Sequence, residues 1–160
     1  MRRKDKEVID TAAIEAILAE ARICRFAMVD GDRPYVVPMC FAHHENALYL
    51  HSALKGKKIE VLEKNPNVCF EVDTLLETIE SDAPCDWSMR YQSVIGFGRA
   101  VFVEEEEEKR NALDIIFKRY AGRHGTFTDN KVQATAVIRI NIDSMTGKMS
   151  GTECTKTQLQ

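Results

Sequence analysis

Residues 48–65 read LYLHSALKGKKIEVLEKN. The first four alternate as in a strand, and the rest is typical of a short helix that Asn65 and the following proline end. The amino end of a helix has unpaired N–H groups and a partial positive charge, so it attracts anions such as phosphate. One hydroxyl and three ammonium groups belong to the same corner: Ser52, Lys55, Lys57 and Lys58. The segment therefore predicts a phosphate site, although an ordinary serine-capped helix with solvated lysines fits the same pattern.

Length, charge and hydropathy restrict the class of protein. With 160 residues and a mass of 18.2 kDa, the chain fits one domain, which we place at residues 1–150, followed by a flexible tail over 151–160. The net charge of −3 argues against nucleic-acid binding. No apolar run reaches membrane-spanning length, and Glu7 interrupts the region where a signal peptide would have its apolar core. We therefore expect a cytoplasmic protein.

Five cysteines are scattered along the chain without a CxxC pair. Their odd number and spacing favour reduced thiols, most of them small core residues. Cys40 offers zinc ligands together with His43 and His44, but a second ligand pair at a usual spacing is missing. Cys85 belongs to a predicted loop near Trp87, and nothing in the sequence marks a base beside it. Neither a zinc site nor an active-site thiol is expected.

The chain before residue 48 predicts one helix and two strands. Apolar residues at helical spacing indicate a helix over Asp10–Ala21, capped by Asp10 or Thr11. A strand over Cys24–Asp30 ends in the turn signal Asp-Gly-Asp, and a second strand covers Pro34–Ala42. Pro38 cannot donate a ladder hydrogen bond, so we expect it at a sheet edge, at a bulge, or where another group approaches the backbone.

Strands dominate the next third of the chain. Val68–Asp73 alternates between apolar and polar residues, which predicts a strand with one wet face. The acidic stretch Leu75–Met89 predicts a surface excursion. Tyr91–Val103 predicts a long strand in which Gly96 and Gly98 share a face, and glycines at such positions mark a bend or the close approach of a bulky group.

The last third adds one helix and one strand. The run Glu104–Glu108 is typical of a helix start, where acidic groups complement the helix dipole, because an apolar helical stripe follows it. Ala134–Asp143 alternates throughout, as a strand does. Six strands joined mostly by short turns, with only three helices, predict a mainly β fold. We expect a six-stranded antiparallel barrel with peripheral helices.

The sequence lacks the motifs of the common nucleotide sites. Gly96 and Gly98 lie inside a predicted strand, without the third glycine and the following helix of a dinucleotide fingerprint. The residue five before Gly56 is His51, so there is no phosphate loop of the Walker type. A phosphate site on a small barrel leaves few common cofactors. FMN fits best, because it has one phosphate at one end and a planar, partly apolar ring at the other.

Three segments in this order resemble the pyridoxamine 5′-phosphate oxidase-like, FMN-binding split-barrel proteins. They are PYVVPMCF (34–41), LYLHSALKGKKIEVLEKNPNVCFEV (48–72) and YQSVIGFGRA (91–100). Within that family the chain is similar to the nitroimidazole-resistance (Nim) branch, over roughly residues 23–142. The resemblance implies a split barrel that forms a homodimer and binds FMN at the subunit interface, in two equivalent sites.

The resemblance also implies roles for particular residues at the phosphate end of the flavin. His51, Ser52 and Ala53 would border the ribityl chain and the phosphate, with Lys57 and Lys58 as counter-charges. His51 would also lie close enough to act as a proton donor, since imidazole titrates in the working range of pH. A hydrogen-bonded core histidine is the alternative for this residue.

At the ring end, the resemblance places Val37, Pro38 and Met39 along the isoalloxazine. Trp87 would cover the pocket. A second group of residues would reach the flavin from the neighbouring subunit: Gln92, Ser93 and Val94. Simple core packing explains Met39 and Val94 equally well.

Two functions of different classes follow. The first is an FMN-dependent oxidoreductase of the Nim type, which takes electrons from reduced nicotinamide and passes them to a nitroaromatic compound or another small oxidant. The flavin would supply the electron chemistry, and the protein would supply binding, orientation and electrostatics. The second is a non-enzymatic protein that stores or carries flavin, or that holds haem through a histidine such as His51 or His124.

Overall fold

A computed structural model describes residues 2–151 of the chain. It contains eight strands and four α-helices in that range, besides short 3₁₀ turns at Lys4–Lys6 and Pro84–Asp86. The strands are β1 (Glu7–Val8), β2 (Cys24–Asp30), β3 (Arg33–Met39), β4 (Phe41–His44), β5 (Ala47–Ala53), β6 (Asn67–Ile79), β7 (Ser88–Val103) and β8 (Thr135–Ser150). The helices are α1 (Thr11–Glu20), α2 (Lys57–Lys64), α3 (Glu106–Ala121) and α4 (Asp129–Gln133).

The strands form one antiparallel sheet in the order β3-β2-β6-β7-β8-β5-β4, with β1 added beside β8. The two edge strands, β3 and β4, are consecutive in the chain and are separated only by Cys40. The sheet therefore curls into a barrel in which the backbone connects the two edge strands, β3 and β4, but no ladder of hydrogen bonds pairs them. This arrangement is a split barrel. The predicted fold class is confirmed.

The predicted number of six strands is wrong, and so is the single strand over Pro34–Ala42. The chain changes partner at Cys40: β3 pairs with β2, whereas β4 pairs with β5. A continuous apolar run gives no sign of such a change, because both halves have one buried face. The other unpredicted strand, β1, consists of two residues, too few to produce an alternation.

The β6–β7 hairpin is longer than predicted. The strands continue through most of the expected surface excursion, pairing as far as Ile79 with Ser88, with a register shift between Leu75 and Glu77. The bulge explains why the alternation fails there, since an extra residue moves the apolar side chains to the other face. Strand β8 also runs to Ser150, seven residues past the predicted end at Asp143.

The barrel interior is a continuous apolar core. Within it, the ring of Phe70 explains why residue 96 is a glycine. Phe26 and Phe70 are fully buried and face each other across β2 and β6. A Cβ on Gly96 of β7 would lie 2.2 Å from the ring of Phe70. The predicted close approach at Gly96 is therefore confirmed, because only a residue without a side chain leaves room for this ring.

The helices cover only part of the barrel. Ile17 and Leu18 of α1 are buried in the main core, and the Asp10 carboxylate caps this helix by accepting from the N–H of Ala13 at 2.8 Å. Helices α3 and α4 cover a second apolar cluster on the outside of the sheet, built around Val103 and Val137. Residues 2–151 include no helix long and apolar enough to cross a lipid bilayer.

Within residues 2–151, α1 and α2 pack into the main core, and α3 and α4 cover the surface around Val103 and Val137. The rest of the outer face of β3, β2, β6 and β7 is left exposed. Its exposed apolar side chains include four on β3 and β7 that are between 41% and 55% exposed. They are Val36, Ile95, Phe97 and Val101. We call this surface the open face.

Candidate cofactor-binding site

Three elements meet at one corner of the barrel: the end of β3, the end of β5 and the first turn of α2. The ammonium group of Lys58 lies 3.3 Å from the sulfur of Met39, which joins α2 to β3. Burial lowers the pKa of His51, and the nearby charge of Lys58 lowers it further, so the end of β5 belongs to the same corner. The fold thus brings together Met39, His51 and Lys58 from three of the predicted site segments.

Lys58 is a cation of this corner that is partly shielded from solvent. Its side chain is half-buried, and burial lowers its pKa. Within residues 2–151 it forms no ion pair, and a thioether is only a weak hydrogen-bond acceptor. A partly desolvated ammonium group gains most from an anionic partner, so this position favours an anionic ligand.

Lys57 has a different environment. Its ammonium group pairs with the carboxylate of Asp30 at 3.2 Å and lies 4.9 Å from the centre of the Tyr35 ring. Both contacts connect α2 to the hairpin of β2 and β3. The two predicted counter-charges are therefore not equivalent, because only Lys58 lacks an acidic neighbour among the residues described.

The first turn of α2 is uncapped. The helix begins at Lys57, its N-cap residue is Gly56 with φ +126°, and no side chain accepts from its first N–H groups. The alternative of an ordinary serine-capped helix is wrong: Ser52 is still in β5, and its hydroxyl donates to the carbonyl of Ala53 at 2.8 Å. The unpaired N–H groups and the dipole of α2 add to the charge of Lys58 at the same end of the helix.

His51 is the titratable residue of the corner. Partial burial of its ring lowers its pKa, and the nearby charge of Lys58 lowers the pKa further. The imidazole is therefore neutral at neutral pH, with one nitrogen that donates and one that accepts. Its role as a proton donor stays a prediction.

The ring-end residues of β3 lie at a sheet edge. Pro38 is opposite Arg25 of β2, and no other strand among residues 2–151 pairs with β3, so the expected edge position is confirmed. Val37 packs partly against the main core, and Met39 is 9% exposed. The backbone of β3 around Pro38 is therefore accessible from the side that no strand covers.

Gln92, Ser93 and Val94 are not brought to the Lys58 corner of the same chain. They lie on β7 between β6 and β8, where Val94 is fully buried and Gln92 donates to the carboxylate of Glu20. Ser93 points to the open face and lines a cleft of about 300 Å³. Any contact with a flavin at that corner would have to come from a second copy of the chain.

The cleft beside Ser93 contains charged residues that sequence reasoning missed. Arg25 of β2 pairs with both Glu71 and Asp73 of β6. Partial burial raises the pKa of Glu71, the charge of Asp73 raises it further, and Arg25 opposes both effects. The alternation of β6 placed both carboxylates on the wet face, but only the register with β2 puts Arg25 between them.

Three further predictions concern Trp87, a metal site and the tail. The indole N–H of Trp87 donates to the carbonyl of Ser81 at 2.6 Å within the exposed β6–β7 connection. The part of the chain that the structure describes holds no group of three or more His, Cys, Asp or Glu side chains arranged for a metal ion. The predicted tail lies outside the described residues, apart from Gly151.

Comparison with solved structures finds the same fold in several proteins. A candidate 5-nitroimidazole antibiotic resistance protein from Bacteroides thetaiotaomicron is 38% identical, with a TM-score of 0.82 over 89% of this chain and 86% of that chain. A flavocytochrome from Azotobacter vinelandii is 20% identical, with a TM-score of 0.83 over 95% of this chain and 72% of that chain. A FAD- and haem-binding protein from Mycobacterium smegmatis is also 20% identical, with a TM-score of 0.83 over 92% and 74% of the two chains.

Two comparisons of the sequence also give matches. A protein of Rhizobium meliloti (strain 1021) is 32% identical over 65 residues, which is 41% of this chain and only 42% of the length of that relative. The family model described as pyridoxamine 5′-phosphate oxidase matches residues 10–149, which include every strand from β2 to β7 and nearly all of β8. The chain therefore belongs to the pyridoxamine 5′-phosphate oxidase family.

Proposed function

We propose that this protein is an FMN-dependent oxidoreductase that acts as a homodimer. The observation that carries the proposal is the combination of an uncapped helix end with a half-buried, unpaired Lys58 at the same corner. An anion at this point would accept from the first N–H groups of α2 and from the ammonium group at once. A terminal phosphate suits such a site because it has several strong acceptor oxygens.

Each residue of the corner has a role toward this cofactor. Lys58 and the amides of α2 would bind the phosphate, and Ser52 and Ala53 would border the ribityl chain. Lys57 would act through Asp30 and Tyr35, by fixing the first turn of α2 against β2 and β3. When bound, the flavin would supply the hydride and electron chemistry.

The isoalloxazine end would lie along the free edge of β3. Val37, Pro38 and Met39 border that edge, where the absence of a neighbouring strand leaves space for a planar group. His51 would hold or give up a proton at one ring nitrogen. Its lowered pKa favours the neutral form, so it would bind as a hydrogen-bond partner more often than as an acid.

The open face supports the homodimer. Val36, Ile95, Phe97 and Val101 expose apolar surface on one side of the sheet, and an apolar surface rimmed by polar residues is typical of an interface. A second copy packed there would cover these side chains. It would also bring Ser93, and the strand around it, toward the partner's β3 edge.

The substrate class follows from the relative at 38% identity, which is named for 5-nitroimidazole resistance. We infer that the acceptor is a small nitroaromatic compound or a similar oxidant, and that reduced nicotinamide supplies the electrons. Reduction of a nitro group needs protons as well as electrons. Solvent would deliver them, directly or through His51 in its protonated form.

The test is a binding comparison followed by a redox assay. Purified protein stripped of cofactor is titrated with FMN, riboflavin and FAD, and we expect FMN to bind most tightly because riboflavin lacks the phosphate. Anaerobic NADH or NADPH should then bleach the yellow protein, and a 5-nitroimidazole should restore the colour. Flavin binding without bleaching would support a carrier instead, and a Soret band with no flavin would support haem binding and refute the proposal.

A further inference from the structure

The cleft between edge strand β4 and helix α3 gathers three of the four histidines of the chain. It has a volume of about 370 Å³, within the range of roughly 300–1,000 Å³ that is usual for small-molecule sites. His43 and His44 lie on its β4 side, and Asp114, Lys118 and His124 on its α3 side. None of them is part of the proposed flavin site.

The backbone of β4 faces this cleft with unpaired groups. The N–H of Phe41 donates to the Tyr120 hydroxyl at 2.9 Å, and the carbonyl of Phe41 accepts from that hydroxyl at 3.1 Å. These bonds show that the backbone groups of Phe41 point away from β5 toward α3. Alternate residues of an antiparallel strand point the same way, so the N–H and C=O of His43 also face α3. Because β4 is an edge strand of the described sheet, no strand lies on that side, and neither group bonds to a helix or turn within residues 2–151.

The side chain of His124 is held in one orientation. The carboxylate of Asp114 accepts from Nδ1 of His124 at 2.6 Å and from the N–H of Gly125 at 2.8 Å, and these two bonds lower the pKa of Asp114. Because Nδ1 is bound, Nε2 of the imidazole is left for another partner. The ring is therefore oriented by a carboxylate, as histidines at binding sites commonly are.

The charge of the cleft is positive. Lys118 makes no direct ion pair within the described part of the chain. Arg119 adds a second positive charge while its guanidinium donates to the carbonyls of Leu18 and Ala21 at the end of α1. Asp114 is the one carboxylate that lines the cleft, and its oxygens already accept two hydrogen bonds. The surplus of cations favours an anionic ligand.

We propose that this cleft is a second binding site, for a small organic anion with a flat apolar body, such as an aromatic carboxylate. The carboxylate would bind Lys118 and Nε2 of His124. The ring would lie against Ala42 and Ile115, the apolar residues of the two walls. A polar substituent on the ring would reach the free N–H or C=O of His43.

Benzoate is the probe, and the readout is a ¹H–¹⁵N NMR titration of the full chain. We expect saturable shifts at the amides of Ala42, His43 and Ile115, whether or not flavin is bound. Lys118→Met should weaken benzoate at least tenfold. Lys109→Met is the matched control, because Lys109 lies on the same helix but lines a different cavity, and it should leave the affinity unchanged.

Three results would overturn the assignment: no saturable shift at these amides, equal affinities for wild type and Lys118→Met, or equal binding of benzoate and neutral benzamide. Each variant is first compared with the wild type by its spectrum, so that a folding defect is recognised. A second substitution, His124→Gln, keeps a hydrogen-bonding group of similar reach and should weaken benzoate less than Lys118→Met does. Because the titration needs no redox chemistry, its outcome is independent of the proposed oxidoreductase activity.

Discussion

Adjacent lysines at the start of α2 have opposite surroundings. Lys57 is paired with Asp30, whereas Lys58 faces the sulfur of Met39 and has no acidic partner among residues 2–151. Sequence alone treats them as a pair, since both follow Gly56 in the first turn. The difference arises from the direction of the helix, which turns successive side chains by about 100°.

Lys58→Gln should therefore weaken FMN binding more than Lys57→Gln does. A hydrogen bond to a charged group contributes about 1.5–3 kcal/mol, so we expect a loss of roughly tenfold or more in affinity for Lys58→Gln. Quenching of flavin fluorescence gives the dissociation constants. Riboflavin is the control ligand: its affinity should not change in Lys58→Gln, and an equal loss for both ligands would contradict a phosphate contact.

His51 should titrate below the usual imidazole value of 6.5. Since the charge of Lys58 contributes to the shift, Lys58→Met should raise the pKa of His51 but not restore it fully, because burial is the larger cause. NMR titration of the imidazole Cε1–H resonance measures both values. If the midpoint of His51 is the same in the two proteins, the two side chains do not interact.

The lowered pKa also has a consequence for stability. A histidine whose pKa is lower in the folded than in the unfolded chain binds fewer protons when folded, so it favours the fold above pH 6.5 and loses that effect on acidification. The pKa of His43 is lowered in the same way, mainly by burial. Urea unfolding at pH 7.5 and pH 5 should therefore show a lower free energy of unfolding at pH 5, and His43→Gln should reduce the difference.

At the scale of elements, the pairing of β6 with β7 depends on a glycine. Phe70 and Gly96 are directly opposite each other, and the Phe70 ring occupies the space above Gly96. The next glycine, Gly98, faces the backbone of Asn141 in β8, 2.3 Å from where a Cβ would be. Strand β7 therefore packs closely against β6 at Gly96 and against β8 at Gly98, because neither residue has a side chain.

Gly96→Ala should destabilise the protein by about 1–3 kcal/mol, the usual cost of forcing a side chain into a packed core. Phe70→Leu shortens the opposing side chain, so the double variant should recover part of the stability that the two single losses would remove. Chemical denaturation gives the three free energies. Additive losses in the double variant would show that the Phe70 ring is not what excludes a side chain at residue 96.

At the scale of the whole molecule, the helices leave one side of the barrel uncovered. Helices α3 and α4 cover the outside around Val103 and Val137, but the open face keeps Phe97 54% exposed. The same face contains the cleft of Arg25, Glu71 and Asp73. An interface there would combine an apolar surface with a charged centre, which favours one register of two copies.

If the proposed homodimer packs through the open face, Phe97→Lys should convert it to monomer, because a charge on each copy would be buried at the interface. Sedimentation velocity measures the change. The matched control is Ile9→Lys, which places the same charge at a residue 80% exposed ahead of α1. A monomeric wild type, or equal behaviour of the two variants, would contradict an interface at the open face.

The sequence determined the fold class and several contacts of this protein. Alternation in β2, β6 and β8, the Asp10 cap, the edge position of Pro38 and the crowding at Gly96 are all local consequences of residue type. Each of these features depends on a single strand or turn. The two-residue period of a strand sets which side chains are buried, the missing N–H of proline sets its edge position, and the missing side chain of glycine allows a close contact.

The tertiary structure decided which residues meet. The exchange of partners at Cys40, the placement of Arg25 between two carboxylates and the meeting of β4 with α3 depend on strand register and curvature. Such contacts join residues far apart in the chain, and their energies depend on the whole sheet, so no local pattern signals them. For the same reason only the folded chain separates the environments of Lys57 and Lys58 and shows that Ser52 does not cap α2.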